Sequence, residues 1–525
     1  MSSNPKVLFQ TEASYPYEGG GVATWAHILC SELADDIDFH IFAITGQPNV
    51  DLKYDLPRSI KEITHVPLWG AEQPVDYYEP ERPFSDIVSA KLRTTDRVVQ
   101  TYFEPLFRDF LDALFRPESS EHNFGELIYG FWLYCRYYDY KVTMQNRRLW
   151  EIFREQIYNR YPTDKLDLYM KEMSLRDVTF AMRWLYHFLM PVDVGLSDVD
   201  ITHATLSGFP GIPSIVQRYH KGTPFIITDH GVWMREQYIN VHNAEFEYYS
   251  KKFLLDLSYC MVRAVYENSD HILPVTRIHE PWEKRMGATP EKIEAIYNGI
   301  DSETFSPQPK PPKTQDIPTV VAVAQVFPLK DIETMIRSCD YARREIPDIQ
   351  YRVYGSLDVN PEYAKRCQNL VKELELEDHF IFGGFHENPS EVYNEGDLTI
   401  LSSISEGVPY TILESMSCAR PVVATDVGGV REAIEGCGVI CKPADPEDLA
   451  KGVVELLKDD QKRIELGRKS RERVLLHYTR EKTVTNYKET YHKWQEKDLQ
   501  PACYEIDNDS VNRIQQHIDP VNDAR

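Results

Sequence analysis

Several short stretches of this chain place titratable groups or glycines next to apolar runs, where an α/β fold does its chemistry. In SEGVPYTILES (405–415) the carboxylates of Glu406 and Glu414 stand with seven residues between them, after the apolar run LTILSSI. Carboxylates accept hydrogen bonds from paired hydroxyls, so this spacing suits a sugar or ribose diol. Glu414 could equally serve only to offset helix charge. VAVAQVFPLKDIETMIRSC (321–339) puts Lys330 and Asp331 between an apolar run and a helical pattern. A lysine there is a flexible point charge suited to a diphosphate, or else a solvated surface residue. ITDHGVWMRE (227–236) sets Asp229 and His230 at a strand end beside Gly231, with Arg235 and Glu236 close behind. His230 could donate to a sugar hydroxyl or phosphate, or be a loop histidine with its own partner. TEASYPYEGGGVATW (11–25) carries Gly19, Gly20 and Gly21 just before a helical pattern. Glycine lets backbone N–H groups approach an anion at a helix N-terminus. The same residues would also make a tight turn, and the sequence is neither GxGxxG nor a Walker A loop.

The elements that must position these residues alternate. KVLFQ (6–10), the glycine loop, the stripe of Val22, Trp25, Ile28, Leu29 and Leu33, and FHIFAIT (39–45) read as a βαβ unit. From about 70 to 190 the alternation gives way to aromatic-rich helical segments such as LIYGFWLYCRYYDY and TFAMRWLYHFLM. This predicts a helical insertion whose aromatics serve packing more than recognition. DVDITHATLSG, PFIITDHGVW, SDHILPVT and KIEAIYNGID resume the α/β rhythm up to about residue 305. The proline-dense SPQPKPPKTQDIP (306–318) reads as an interdomain linker. TVVAVAQV restarts the pattern, and IQYRVYGS, HFIFGGF, LTILSSI, RPVVATD and CGVICKP follow as candidate strands of a second open sheet. The fold class predicted is α/β, two Rossmann-like domains with the carboxyl ends of their strands across a cleft. The residues from 499 to 525 read as a polar, irregular tail.

The chain has 525 residues, too many for one core, with 82 acids against 58 bases and a formal charge of −24. That balance opposes general nucleic-acid binding. No stretch approaches a membrane span, and MSSNPKVLFQ has no apolar core of a secretory signal. Nine scattered cysteines without CxxC pairing read as reduced and structural, in a cytosolic setting with no metal site.

Glu406 through Glu414, within SEGVPYTILESMSCARPVVATDVGGVRE, resembles the acidic motif of retaining GT-B glycosyltransferases of family 4. YNGIDSETFSP (297–307) and FPLKDIETMI (327–336) agree with it. TEASYPYEGGGVATW and TDHGVWMRE look like the PelF-like exopolysaccharide glycosyltransferases, and the resemblance runs from about residue 8 to 495.

The resemblance implies a GT-B architecture and a retaining hexosyltransferase using a nucleotide-sugar donor, UDP-linked, with no metal or other cofactor. Residues 319–475 would hold the donor, 1–305 the acceptor side, and helices in 476–498 would cross back to the first domain. Glu414 would face the ribose and Glu406 the donor sugar. Lys330 would bind the diphosphate, with Gly407, Val408, Pro409 and Tyr410 completing the donor site. Gly20 and Gly21 would approach the phosphates or the transferred sugar. His230 would stand near the reacting centre, so that His230, Glu406 and Lys330 carry catalysis. Val427, Gly428 and Gly429 would shape the turn beside the donor. A carbohydrate acceptor and a membrane-associated polysaccharide complex are the implied partners, with the chain itself cytoplasmic.

One position departs from the family pattern. Where Gly-Arg is usual, the sequence reads Ala324-Gln325. Glutamine offers an amide donor but no positive charge to the diphosphate. Three alternatives stand beside the transferase: a GT-B epimerase or phosphorylase; a GT-B scaffold of little activity in an assembly complex, which Gln325 favours; and a Rossmann dehydrogenase, which the missing GxGxxG after the first strand opposes. Gln325→Arg is expected to tighten UDP-sugar binding by about tenfold, the scale of one charge-assisted contact. A donor-hydrolysis panel of UDP-, GDP- and ADP-sugars, run with and without the substitution, measures the gain and the base preference together.

Overall fold

The computed structural model describes residues 4–70, 82–161 and 173–522. The chain divides into two compact units. The first comprises residues up to Leu273, Pro281–Glu294 and Lys488 onward, and the second Pro274–Glu280 and Ala295–Tyr487.

The first unit is built on β1 (Lys6–Glu12), β2 (Asp38–Thr45), β3 (Ile60–Pro67), β4 (Ile201–Ala204), β5 (Phe225–Asp229) and β6 (His271–Pro274). Their order is β3-β2-β1-β4-β5-β6, and β1 pairs in parallel with β2 on one side and β4 on the other. β1 reads as a continuous apolar run because both its faces are covered, and Val7, Leu8 and Phe9 are fully buried. β3, IKEITHVP, was not legible as a strand. It lies at the sheet edge, its first six residues are half-buried or exposed, and the polar pairs Lys61-Glu62 and Thr64-His65 interrupt any apolar run or strict alternation.

The helical insertion lies between β3 and β4. Its centre is the helix Phe124–Cys135, in which every residue but Glu126 is buried. A helix apolar on all sides must be surrounded. Helix Glu104–Phe115, among others, packs against it, with Phe103, Phe110 and Phe131 in ring contact at 4.9 Å centroid spacing. The aromatic load is core.

The C-terminal tail is not irregular. Asp509–Asn522 is a helix whose Val511, Ile514 and Ile518 join the same core. His517 stacks on Tyr102 at 4.1 Å and hydrogen-bonds the hydroxyls of Tyr102 and Tyr138, each at 2.9 Å. Three apolar residues spaced along one helical face are easily overlooked in a polar sequence.

The second unit repeats the plan with β7 (Thr319–Val323), β8 (Gln350–Tyr354), β9 (Phe380–Gly384), β10 (Leu398–Leu401), β11 (Val422–Thr425) and β12 (Val439–Cys441). All are parallel, in the order β12-β11-β10-β7-β8-β9. The proline-rich 306–318 is not a free linker but part of this unit. Lys310 pairs with Asp397 at 2.7 Å, and both are largely buried. Gln308 N–H donates to Asn394 Oδ1 at 2.8 Å, and Thr314 Oγ1 donates to the carbonyl of Glu395 at 3.2 Å. Proline removes backbone donors, so the few that remain, with the ion pairs of Lys310 to Asp397 and Lys313 to Glu395, are enough to seat an extended segment. YNGID is likewise a tie within the unit: Ile300 N–H donates to the Tyr478 carbonyl at 2.9 Å. Among the described residues no helix is long and apolar enough to cross a membrane.

Ile514→Ala is expected to destabilise the first unit by about 2–5 kcal/mol, as for other buried aliphatic truncations. Urea unfolding followed by tryptophan fluorescence measures it; a change below about 0.5 kcal/mol would mean the terminal helix is not integral.

Candidate functional site

In each unit the strand order reverses at one place, between β1 and β4 and between β7 and β10. Connections leave those two strands in opposite directions and open a crevice at their carboxyl ends. In the second unit the crevice brings together the loops after β7 and β10. Pro328–Lys330 forms a single tight turn, and Asp331, at φ 45°, accepts from the Thr334 N–H to start helix Ile332–Arg343. From the β10 side, Ser402 Oγ donates to the Lys330 carbonyl at 2.8 Å and Ile404 N–H to the Leu329 carbonyl at 2.9 Å. These bonds fix Lys330 against Glu406: Nζ to Oε1 is 2.5 Å, with side chains 22% and 10% exposed. Ser403 Oγ donates to the same carboxylate oxygen at 2.6 Å. The arrangement offers a cation for an anionic group beside a carboxylate for hydroxyls.

The loop carrying Glu406, Gly407 and Val408 is backed by Val427–Gly429. Gly428 is at φ +51°, and a Cβ there would fall 1.8 Å from the Glu406 carbonyl oxygen, so only glycine fits. Gly429 N–H donates to the Gly407 carbonyl at 2.8 Å. Pro409 then precedes helix Tyr410–Ser417, on which Glu414 accepts from Tyr393 Oη at 2.6 Å. Burial pushes the Glu414 carboxyl up to about 7, against the Tyr393 hydrogen bond, which lowers it. Tyr393 and Tyr410 are raised too, in each case chiefly by burial. Gln325 is exposed on the loop after β7.

The first unit's crevice holds a cavity of about 280 Å³. Gly19, Gly20 and Gly21 line one part of it, and His230, Gly231 and Trp233 another. Gly20, at φ +132°, starts helix Gly21–Glu32, which has no side-chain cap and no acid in its first turn. Its terminal N–H groups are therefore not taken up by a capping side chain. Trp25 stands edge-on to His230 at 4.4 Å. Asp229, immediately before it, is buried, bonded by Tyr266 Oη, and pushed up by burial and then by the Glu236 charge. Glu12, the last residue of β1, also lines the cavity, and burial pushes its carboxyl up to about 7.

Residues 5–291 match the family described as a domain of unknown function, DUF3492. The chain belongs to the DUF3492 family. Residues 303–473 match glycosyl transferases group 1. N-acetyl-alpha-D-glucosaminyl L-malate synthase of Bacillus anthracis is 27% identical over 44% of this chain and 62% of its own length. The Escherichia coli K12 protein WcaL, provisionally named a colanic acid biosynthesis glycosyltransferase, is 28% identical over 33% of this chain and 43% of its own. The chain thus spans about two fifths to three fifths of these curated relatives. Among solved structures, HepE of Anabaena in complex with UDP-glucose is 13% identical, covers 93% of this chain and 100% of its own, and has a TM-score of 0.56. At that identity the likeness is one of fold. The GT-B architecture expected from sequence holds, with two doubly wound α/β units and a helical insertion in the DUF3492 unit.

The sequence-selected residues therefore fall into two groups. Gly20, Gly21, His230 and Glu236 share the cavity of the DUF3492 unit. Lys330 and Glu406 form the pair in the second unit, braced by Gly407, Val408 and the glycine turn. Glu406 and Glu414 share no hydrogen-bond partner: one faces Lys330 and Ser403, the other Tyr393. Glu12, Ser14, Thr205 and Tyr393 were not singled out by sequence. Glu12 and Thr205 end or follow strands at the switch point, a signal that could have been used. Tyr393 lies in HENPSEVYNEGD with no motif around it.

Because burial pushes the folded Glu414 carboxyl from its ordinary 4.5 up to about 7, the folded unit binds more protons between those limits. Stability from this group is fullest at low pH and falls as pH rises toward neutrality. Glu414→Gln is expected to change little at about pH 5 and to stabilise the unit by up to about 3 kcal/mol at about pH 8. Urea titrations at the two pH values check the difference; equal effects at both would contradict the shift.

Proposed function

We propose that the protein is a retaining glycosyltransferase of the PelF-like kind, moving a hexose from a UDP-linked donor to a carbohydrate acceptor in exopolysaccharide synthesis. The observation that carries this reading is the Lys330–Glu406 pair at the β7/β10 switch point. A lysine and a hydroxyl-accepting carboxylate, side by side at strand ends, match the two chemistries of a nucleotide sugar. The group 1 glycosyl transferase match supports the reaction class, and HepE's complex with UDP-glucose supports a UDP donor. WcaL's provisional naming for colanic acid supports an exopolysaccharide setting. TEASYPYEGGG and TDHGVWMRE support the PelF-like subgroup.

In this reading Lys330 shifts from Glu406 to the diphosphate as the donor binds and stabilises the charge that develops on the leaving group. Glu406, released, accepts from the donor sugar's hydroxyls, while Glu414 accepts from the ribose. The leaving diphosphate takes the acceptor's proton on the same face, so no separate protein base is required. Gly20 and Gly21 offer backbone N–H groups, and His230 orients the sugar. Gln325 adds no charge, which supports a weaker hold on the diphosphate than two cations would give. Recruitment to a membrane-bound polysaccharide complex would run through a partner, with the helical insertion as the candidate surface.

Lys330→Ala should weaken UDP-glucose binding by about tenfold or more and slow transfer. Glu406→Gln should keep UDP binding within about threefold, since it frees Lys330, yet lower transfer by about 100-fold. Calorimetry with UDP and UDP-glucose, together with donor turnover, separates the two effects. Unchanged binding and turnover in Lys330→Ala would sink the assignment.

A further inference from the structure

Buried polar atoms in folded proteins are nearly always paired. The cavity of the first unit collects exceptions from separate segments. Glu12 Oε2 at the end of β1, Ser14 Oγ in the next loop and Thr205 Oγ1 just past β4 are buried without a hydrogen-bond partner among the described residues, and all three residues line it. Packing alone does not favour orphaned groups on both sides of a strand-order reversal, where α/β folds take ligands. The lining charges have one sign: Glu12 and Glu236 are carboxylates, and among the described residues no lysine or arginine lines the cavity. Trp233 supplies an aromatic wall, and about 280 Å³ is the size of a single ring rather than a nucleotide.

We infer that Glu12, Ser14 and Thr205 form a subsite for one hydroxyl-bearing sugar ring without negative charge, with Glu12 rejecting acidic sugars. Glu12 accepts a hydrogen bond from a ring hydroxyl. Ser14 and Thr205 complete the contacts by a rotation about χ1. The uncapped helix start at Gly20 and Gly21 attracts an anion, but that influence falls off within the first turn. A carboxylate or phosphate on the ring would meet the buried Glu12 carboxylate at the wall of a half-open cavity, where like charges repel more than in bulk water. Only the identity of the ring, acceptor or transferred sugar, rests on the transferase reading above.

The test uses the full chain and the tryptophan signal of Trp25 and Trp233, titrated with methyl glucoside and methyl glucuronide. It is run at about pH 8, above the Glu12 titration. The glucoside should bind, and the glucuronide more weakly by up to about tenfold, the most that protonating Glu12 one pH unit above its titration would cost. Glu12→Gln should bring the two within about threefold of each other by improving the glucuronide, a gain that a merely structural role would not produce. Thr205→Val should weaken both by about the same factor, up to about tenfold. Repeating the titration with saturating UDP-glucose assigns the ring: retained glucoside binding marks an acceptor subsite, and displacement marks the transferred sugar. No glucoside binding by the folded parent chain, or a ratio unmoved by Glu12→Gln, overturns the subsite. If UDP-glucose does not bind while the glucoside preference holds, the transferase reading fails and the subsite stands.

Discussion

The reversal of strand order at the centre of each sheet is the constraint on which the rest depends. A parallel strand has both neighbours in the sheet, and its connection must leave over one face or the other. Where adjacent strands send their connections opposite ways, the loops part and their ends stay open to ligand. β1 and β4 part in this way in the first unit, and β7 and β10 in the second. The glycine loop, Glu12 and Thr205 follow from the first reversal, and Lys330 and Glu406 from the second. The chain supplies the same geometry twice and furnishes it with different chemistry.

The difference lies in how charge is handled. In the second unit the carboxylate of Glu406 is matched by Lys330 and by the Ser403 hydroxyl. A paired charge can be partly buried because its partner and hydrogen bonds replace water. In the first unit Glu12 Oε2 has no such partner among the described residues, and burial raises its proton affinity instead. Glu414 lies between these cases, with one tyrosine hydroxyl for a partner. Three acids, one ending a strand, one in a loop and one on a helix, thus stand at different points on one scale, from paired to orphaned.

Much of this was legible in the sequence, for identifiable reasons. Buried parallel strands write themselves as apolar runs, so β1, β2 and the strands of the second sheet could be read directly. Glycines that must accept a backbone contact, such as Gly428 against the Glu406 carbonyl, survive in the pattern as motif residues. Elements whose burial is one-sided did not show. β3 is an edge strand with a polar face, and the terminal helix hides three apolar anchors among polar residues. The proline-rich stretch misled for the opposite reason. Its composition favours an extended chain, but composition says nothing about whether an ion pair such as Lys310–Asp397 fastens that chain to a domain.

The site shows the same division between what pattern encodes and what only packing reveals. Lys330 and Glu406 lie 76 residues apart in sequence, and each was suspected alone. What sequence could not supply was that one neutralises the other. A lysine already held at 2.5 Å by a carboxylate is not a ready diphosphate receptor. It becomes one only if the incoming ligand gives Glu406 other donors at the same time. A bare diphosphate cannot do that, because it brings charge and no hydroxyls to satisfy the released carboxylate. A nucleotide sugar brings both, since its ring hydroxyls can replace the lysine at Glu406 while its phosphates receive it. In the proposed reading the pair would discriminate between leaving group and intact donor by exchange of partners rather than by shape, with the two side chains that the strand reversal brings together.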